Sequence, residues 1–285
     1  MVLKALSWVT AVSMLLLAGW TVPAQAELDS ATAALLQKSI SGEHRSDENR
    51  ARDVYRKPYE VLEFLGLRSD MTVVEIWPGA GWYTEILAPV LKDRGKFYAA
   101  QYSPNGPYGY QRRGLGAYLT RLGTHPDLYG SVIVTELDLP NSLRMAPAAS
   151  ADLVLTFRNV HNLVMDLYDK GAHAGLAFQA TYDVLKPGGV LGIVDHQWDD
   201  VANEDPLAAN GYISKERTIA MAQAAGFELV AEASILRNPQ DSKDYEAGVW
   251  TLPPSLALGE KDRARYLAIG ESDRFLLKFV KPLGD

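Results

Sequence analysis

Short apolar runs alternating with longer stretches of helical spacing organise this chain. Runs rich in branched and aromatic residues at 72–77, 96–101, 132–136, 152–158, 190–195, 228–236 and 274–280 predict strands. Apolar positions at helical spacing predict helices at 82–92, about 113–122, 172–185 and 215–225. Strand followed by helix predicts the α/β class: a doubly wound, mostly parallel sheet, because each crossover helix returns the chain to the same edge. The segment between the last two strands holds Pro239, Pro253, Pro254 and Gly259, with no crossover helix of ordinary length, so the final strand is expected to run antiparallel. Before the first strand, Val54, Tyr59, Val61, Leu62 and Leu65 suit a helix interrupted near Pro58 and stopped by Gly66. Residues 27–50 are polar without a sustained period and are expected to lead into or cap the site.

The N-terminus changes the picture of location. Lys4 precedes a mostly apolar stretch from Ala5 to Trp20, and Val22-Pro23-Ala24-Gln25-Ala26 supplies the small residues of an export cleavage site. Residues 1–26 are therefore expected to be a signal peptide, 27–50 a lead-in segment and 51–285 the working domain, exported to a bacterial periplasm. The apolar stretch is short for a membrane span and is interrupted by Ser7, Thr10 and Ser13, so stable membrane insertion after cleavage is not expected. The chain has no cysteine, which excludes disulfides and suits an oxidising compartment. Loss of Lys4 moves the net charge from −7 to −8, and Arg112-Arg113 is only a pair, so nucleic acid is not expected as a partner.

Chemistry concentrates at predicted strand ends. In Thr72-Val73-Val74-Glu75-Ile76-Trp77-Pro78-Gly79-Ala80-Gly81-Trp82-Tyr83-Thr84-Glu85, an apolar strand with an acid near its end enters a glycine-rich turn and then a helical pattern. Gly79 and Gly81 lack side chains, so a ligand can approach the backbone, and amides at the start of the next helix would face its anionic part. Further on, Leu185-Lys186-Pro187-Gly188-Gly189-Val190-Leu191 reads as a helix end, a tight turn and a buried strand. The pair resembles the class I S-adenosylmethionine (SAM)-dependent methyltransferases, and residues from about Ala51 to Pro282 look most similar to predicted exported bacterial members.

That resemblance implies a seven-stranded Rossmann-like sheet with an antiparallel last strand, SAM as cofactor and methyl transfer to a small-molecule acceptor. It also implies that Glu75, Gly79 and Gly81 hold the methionine part. Gln101 stands where the family places the acid that bonds both ribose hydroxyls, and Asp138 where an acid approaches the adenine amine. Two positions depart from the pattern. Trp77 replaces a glycine, and Gln101 is an amide without the charge of a strong bidentate acceptor. These departures and the exported location leave two alternatives: a non-catalytic small-ligand-binding protein on this fold, or an enzyme of different chemistry in the same cleft.

Arg158-Asn159-Val160-His161-Asn162 and Asp195-His196-Gln197-Trp198 follow the fourth and fifth predicted strands. His161 and His196 are candidate bases, since imidazole titrates near neutrality and methyl transfer needs a nucleophile with a free lone pair. Asn159 joins them as a candidate for holding the acceptor. His161, His196, Asp195 and Asp199 include metal-ligand types, but without dedicated motif spacing, and no obligatory metal is expected. Tyr182 and Lys186 have the spacing of a short-chain dehydrogenase pair, but the helix ends at once and the turn lacks a third glycine, so no catalytic role is expected. Tyr108, Tyr110, Tyr118 and Trp198 are candidate lid or wall aromatics.

Overall fold

The computed structural model describes residues 28–284, so the expected signal segment at 1–26 lies outside the described residues. Helix α1 (Ser30–Ile40) starts where the Asp29 carboxylate accepts the Thr32 amide at 2.9 Å. Two single turns follow, α2 (Asp47–Arg50) and α3 (Asp53–Arg56). Lys57, disfavoured from the right-handed helical region by the proline after it, takes φ 41°, and Pro58 opens α4 (Pro58–Leu65) at its first turn. The interruption expected near Pro58 is therefore a change of direction that leaves α3 beside the site.

Strands β1 (Thr72–Ile76), β2 (Lys96–Gln101), β3 (Ile133–Glu136), β4 (Ala151–Phe157) and β5 (Leu185–Trp198) pair parallel, with β1 between β2 and β4. The two-residue β6 (Ile213–Ser214) lies against the end of β5. Beyond it come β7 (Glu228–Ala233) and β8 (Arg274–Val280), and β8 is antiparallel to both β5 and β7. The strand path is β3-β2-β1-β4-β5-β8-β7, the mostly parallel sheet with a reversed final strand that the pattern predicts. β5 starts earlier than expected. Leu185 pairs with Ala151, and the Gly188 amide donates to the Lys281 carbonyl at 2.8 Å, so both neighbouring strands hold the predicted turn in the sheet.

Covering helices are α5 (Thr84–Leu91), α6 (Gly109–Thr124), α7 (Pro126–Tyr129), α8 (Val160–Val164), α9 (Ala174–Val184), α10 (Lys215–Ala224) and α11 (Arg263–Ile269). Successive β1 side chains enter opposite layers. Val73 joins Leu62, Leu87 and Leu155 on one face, while Val74 and Ile76 join Val154 and Phe178 on the other. Each such buried aliphatic contributes about 1.5–3 kcal/mol. Ser39 on α1 donates to the Ile86 carbonyl at 2.8 Å, tying the polar lead-in to α5. Glu75 shares the face of Val73, but at the strand's carboxyl end, where the core gives way to a cavity.

Candidate functional site

A cavity of about 370 Å³ opens at the carboxyl edge of β1, β4 and β5, the edge where open α/β sheets take ligands. Its floor is the turn after β1, with Trp77 at φ 44°, Gly79 at φ 60° and Gly81 at φ 86°. A Cβ on Gly79 would meet nothing within 4 Å, whereas one on Gly81 would lie 3.0 Å from Arg121 and 3.1 Å from Tyr118. Gly79 therefore leaves room in the cavity, and Gly81 admits the covering helix α6. Glu75 lines the cavity and accepts the Thr84 hydroxyl at 3.0 Å. Burial raises its pKa to about 8 against the opposing pull of Thr84 and Arg56, so the group is mostly neutral at pH 7.

One end of the site is filled by the chain itself. The Trp77 indole stacks between Tyr102, at 5.2 Å and 26°, and Tyr168, at 5.3 Å and 29°. Its Nε1–H donates to the Leu137 carbonyl at 2.9 Å. A flat ring between two aromatic faces, donating to a backbone carbonyl, occupies a slot of the shape and polarity that suit a purine. Gln101 is fully buried; its amide donates to the Gly79 carbonyl at 2.8 Å and its oxygen accepts the Tyr102 amide at 3.2 Å. Both ends of this side chain brace the turn. Asp138 exchanges backbone hydrogen bonds with Ser142 at 2.8 and 2.7 Å, and its carboxylate accepts from Asn141. Neither Gln101 nor Asp138 reaches the cavity.

The other end gathers both histidines. Asp195, buried in β5, accepts the His161 amide at 3.0 Å and the His196 amide at 2.7 Å, and its Oδ1 lies 2.7 Å from His161 Nδ1. A carboxylate facing three donors assigns the proton to Nδ1, which leaves the Nε2 lone pair of His161 for a ligand. His196 Nδ1 lies 2.5 Å from the Ser272 hydroxyl, and the two imidazoles are 5.2 Å apart. Burial, then His161 and the arginines 274, 158 and 56, push the His196 pKa well down, so it stays neutral. Asn159 lines the cavity, but its amide donates to the Ile76 carbonyl at 3.0 Å and lies 3.2 Å from Thr156 Oγ1, which makes it a brace between β1 and β4.

The arrangement also brings together residues to which the sequence assigned no role. Arg52, just before α3, and Arg56 at its end reach Glu271 at 2.6 and 3.1 Å, and Arg274 also pairs with it. Arg158, at φ 63°, lines the cavity with Arg52 and Arg56. Burial raises the Glu271 pKa, but Arg274, Arg56 and Arg52 outweigh it and hold the carboxyl well below the usual range. Among ligand types, the donor atoms of His161, Asp195 and His196 lie within 4.8 Å of one another, a grouping their spacing did not reveal. The guanidinium groups beside them oppose a dication. Asp199, by contrast, is drawn to Arg237 and Lys243. Among the candidate wall aromatics, Tyr110 lines the cavity. Tyr108 bonds to the Leu167 carbonyl, Tyr118 is buried by Thr84, and Trp198 bonds to the Asp200 carbonyl.

By sequence, the chain matches no protein-family model and no curated protein. Solved structures match its fold. A SAM-dependent methyltransferase from Aquifex aeolicus is 15% identical, covering 87% of this chain and 98% of that one at TM-score 0.52. The [4+2]-cyclase SpnF is 17% identical over 89% and 94% at TM-score 0.55. Phosphoethanolamine N-methyltransferase 2 of Haemonchus contortus, solved with SAM, is 16% identical over 89% and 57% at TM-score 0.52. This chain has the class I methyltransferase fold. Because one match is described as a cyclase, the fold alone does not name the reaction.

Proposed function

We propose that the protein is exported by a signal at residues 1–26 and transfers a methyl group from SAM to a small-molecule acceptor in the periplasm. One observation carries the reading: the turn after β1 opens at Gly79 into the cavity at the carboxyl edge of a sheet with the methyltransferase strand order. The amino-acid end of the cofactor fits here, with Glu75 for its ammonium and the turn's backbone for close approach. Bound there, SAM supplies a methyl group on a sulfonium already activated for attack. His161 Nε2 would accept the acceptor's proton as the nucleophile advances, and Asp195 would orient the ring and stabilise the imidazolium. Placement of the two reactants supplies most of the acceleration.

The nucleoside end does not fit as it stands, because Trp77 fills the aromatic slot and Gln101 is committed to the turn. A nucleoside enters only when the indole leaves. That sandwich favours a second reading, in which the cavity serves a different small ligand, held without catalysis or turned over by His161. Calorimetry of the full-length protein with SAM and S-adenosylhomocysteine, beside Gly79→Val, separates the two. The valine side chain would project into the space Gly79 leaves, at a backbone strain of about 1–3 kcal/mol, so cooperative melting of the variant is checked alongside. Micromolar binding lost in the variant supports the SAM reading. No binding by the folded wild type, or unchanged affinity in the variant, moves the conclusion to the second.

A further inference from the structure

Four guanidinium groups, on Arg52, Arg56, Arg158 and Arg274, surround one carboxylate, that of Glu271. The nearby Asp195 is committed to the two histidines. Arg56 is only 3% exposed, and among the described residues its Nη2 has no hydrogen-bond partner; nor has Nη2 of Arg52 or Nε of Arg274. The Arg158 guanidinium forms no hydrogen bond or ion pair among the described residues, yet it faces the cavity. Four cations around one carboxylate leave positive charge uncompensated, which is costly in a buried setting unless a further anion completes it. Left-handed backbone at a non-glycine residue adds to that cost at Arg158.

We infer that the cavity binds a small molecule through an oxyanion, a carboxylate or phosphate, seated on Arg52, Arg56 and Arg158 beside the free Nε2 of His161. Planar forks with spare N–H groups match such oxygens in pairs, whereas a lysine would offer only a point charge. The competing occupant is the carboxylate of SAM's methionine end, because Glu75, close enough for Arg56 to influence its titration, would take the ammonium beside it. Under the methyltransferase reading the anion is the acceptor, and only that word rests on the reading. The depressed basicity of Arg158, from burial and then Arg274, has the direction expected of a cation awaiting a counter-charge.

The test uses inorganic phosphate and acetate as separate probes, by calorimetry and thermal melting of the full-length protein. Arg158→Gln is the informative variant, since Arg158 holds no other side chain in place. The expected result is a concentration-dependent rise in Tm with at least one probe. In Arg158→Gln binding weakens at least tenfold, while the Tm without ligand is unchanged or higher. The probe that binds more tightly identifies the anion class. Saturating S-adenosylhomocysteine separates the two assignments. Phosphate or acetate binding that persists beside it, or that occurs when S-adenosylhomocysteine does not bind at all, upholds the anion site. Exclusion of both anions by S-adenosylhomocysteine overturns it and gives the arginines to the cofactor's carboxylate. Absence of binding by either probe, or binding untouched by Arg158→Gln, overturns it as well.

Discussion

The two ends of the cavity differ in what they leave unfinished. At the Trp77 end, the indole has two stacking partners and an acceptor, and Gln101 uses both its donor and its acceptor on neighbouring backbone. At the histidine end, Arg52 and Arg56 carry buried N–H groups without acceptors among the described residues, and His161 keeps an uncommitted Nε2. Buried polar groups are normally satisfied, so the contrast locates where the molecule awaits something from outside. The lesson is that one edge of a sheet can carry a finished end and an unfinished one, and the fold alone does not say which takes a ligand.

The comparison breaks most sharply at His161. If the reaction runs at this end, His161→Ala should lower turnover by about 10²–10⁴-fold in a variant that still melts cooperatively, at a lower Tm because buried Asp195 loses a donor. Transfer of tritium from methyl-labelled SAM into a mixture of small organic acids and phosphate esters measures it. Turnover that survives the substitution would remove His161 from the reaction and place the chemistry elsewhere in the cleft.

Trp77→Gly tests the opposite end. Removing a buried indole from a three-ring stack should cost about 3–5 kcal/mol of stability. Glycine tolerates the left-handed backbone, which returns part of that loss. The same change empties the slot, so S-adenosylhomocysteine should bind at least tenfold more tightly than to wild type. Unchanged or weaker affinity in a folded variant would mean that the slot is not where a nucleoside sits. Urea unfolding and calorimetry report the two effects separately.

The sheet was legible because its signals are local. Thr72–Ile76 is an apolar run, the strand–helix alternation predicts parallel pairing, and the proline-rich gap before Arg274 predicts the reversed strand that is observed. Glu75, Gly79, His161 and His196 could be placed at strand ends by the same reasoning, and they meet in one cavity. The arginine cluster could not. Arg56 and Glu271 are 215 positions apart, and no local period signals their meeting. Gln101 and Asn159 stand at the expected strand ends, but their hydrogen bonds go to backbone that only the folded sheet brings near. Helix α1 was missed because its buried positions, Thr32, Leu36 and Ser39, are mostly polar.

The smallest effect is the pH dependence contributed by Glu75, and its sign is fixed. The folded pKa is raised to about 8 from an ordinary 4.5, chiefly by burial, with Thr84 and Arg56 opposing. Between those values the folded protein holds a proton that the unfolded chain has released. Its contribution is therefore full below pH 4.5 and declines as pH rises toward 8, by at most about 1.4 kcal/mol per unit. Glu75→Gln keeps an acceptor for the Thr84 hydroxyl and removes the titration. The variant should show a flatter stability curve between pH 5 and 8 and should exceed the wild type in stability above that range. Tyr118, which shares the Thr84 hydroxyl with Glu75, stays protonated throughout because burial and then Glu75 raise its pKa further. A cationic ligand group at this turn would favour the ionised carboxylate, so its binding near pH 7 should release a proton in wild type and none in the variant. Calorimetry in two buffers of different ionisation enthalpy counts that proton, and urea melts across the pH range give the slope. Identical slopes in the two proteins would show that Glu75 is ionised in the folded state, and that this end of the cavity is wetter than its burial implies.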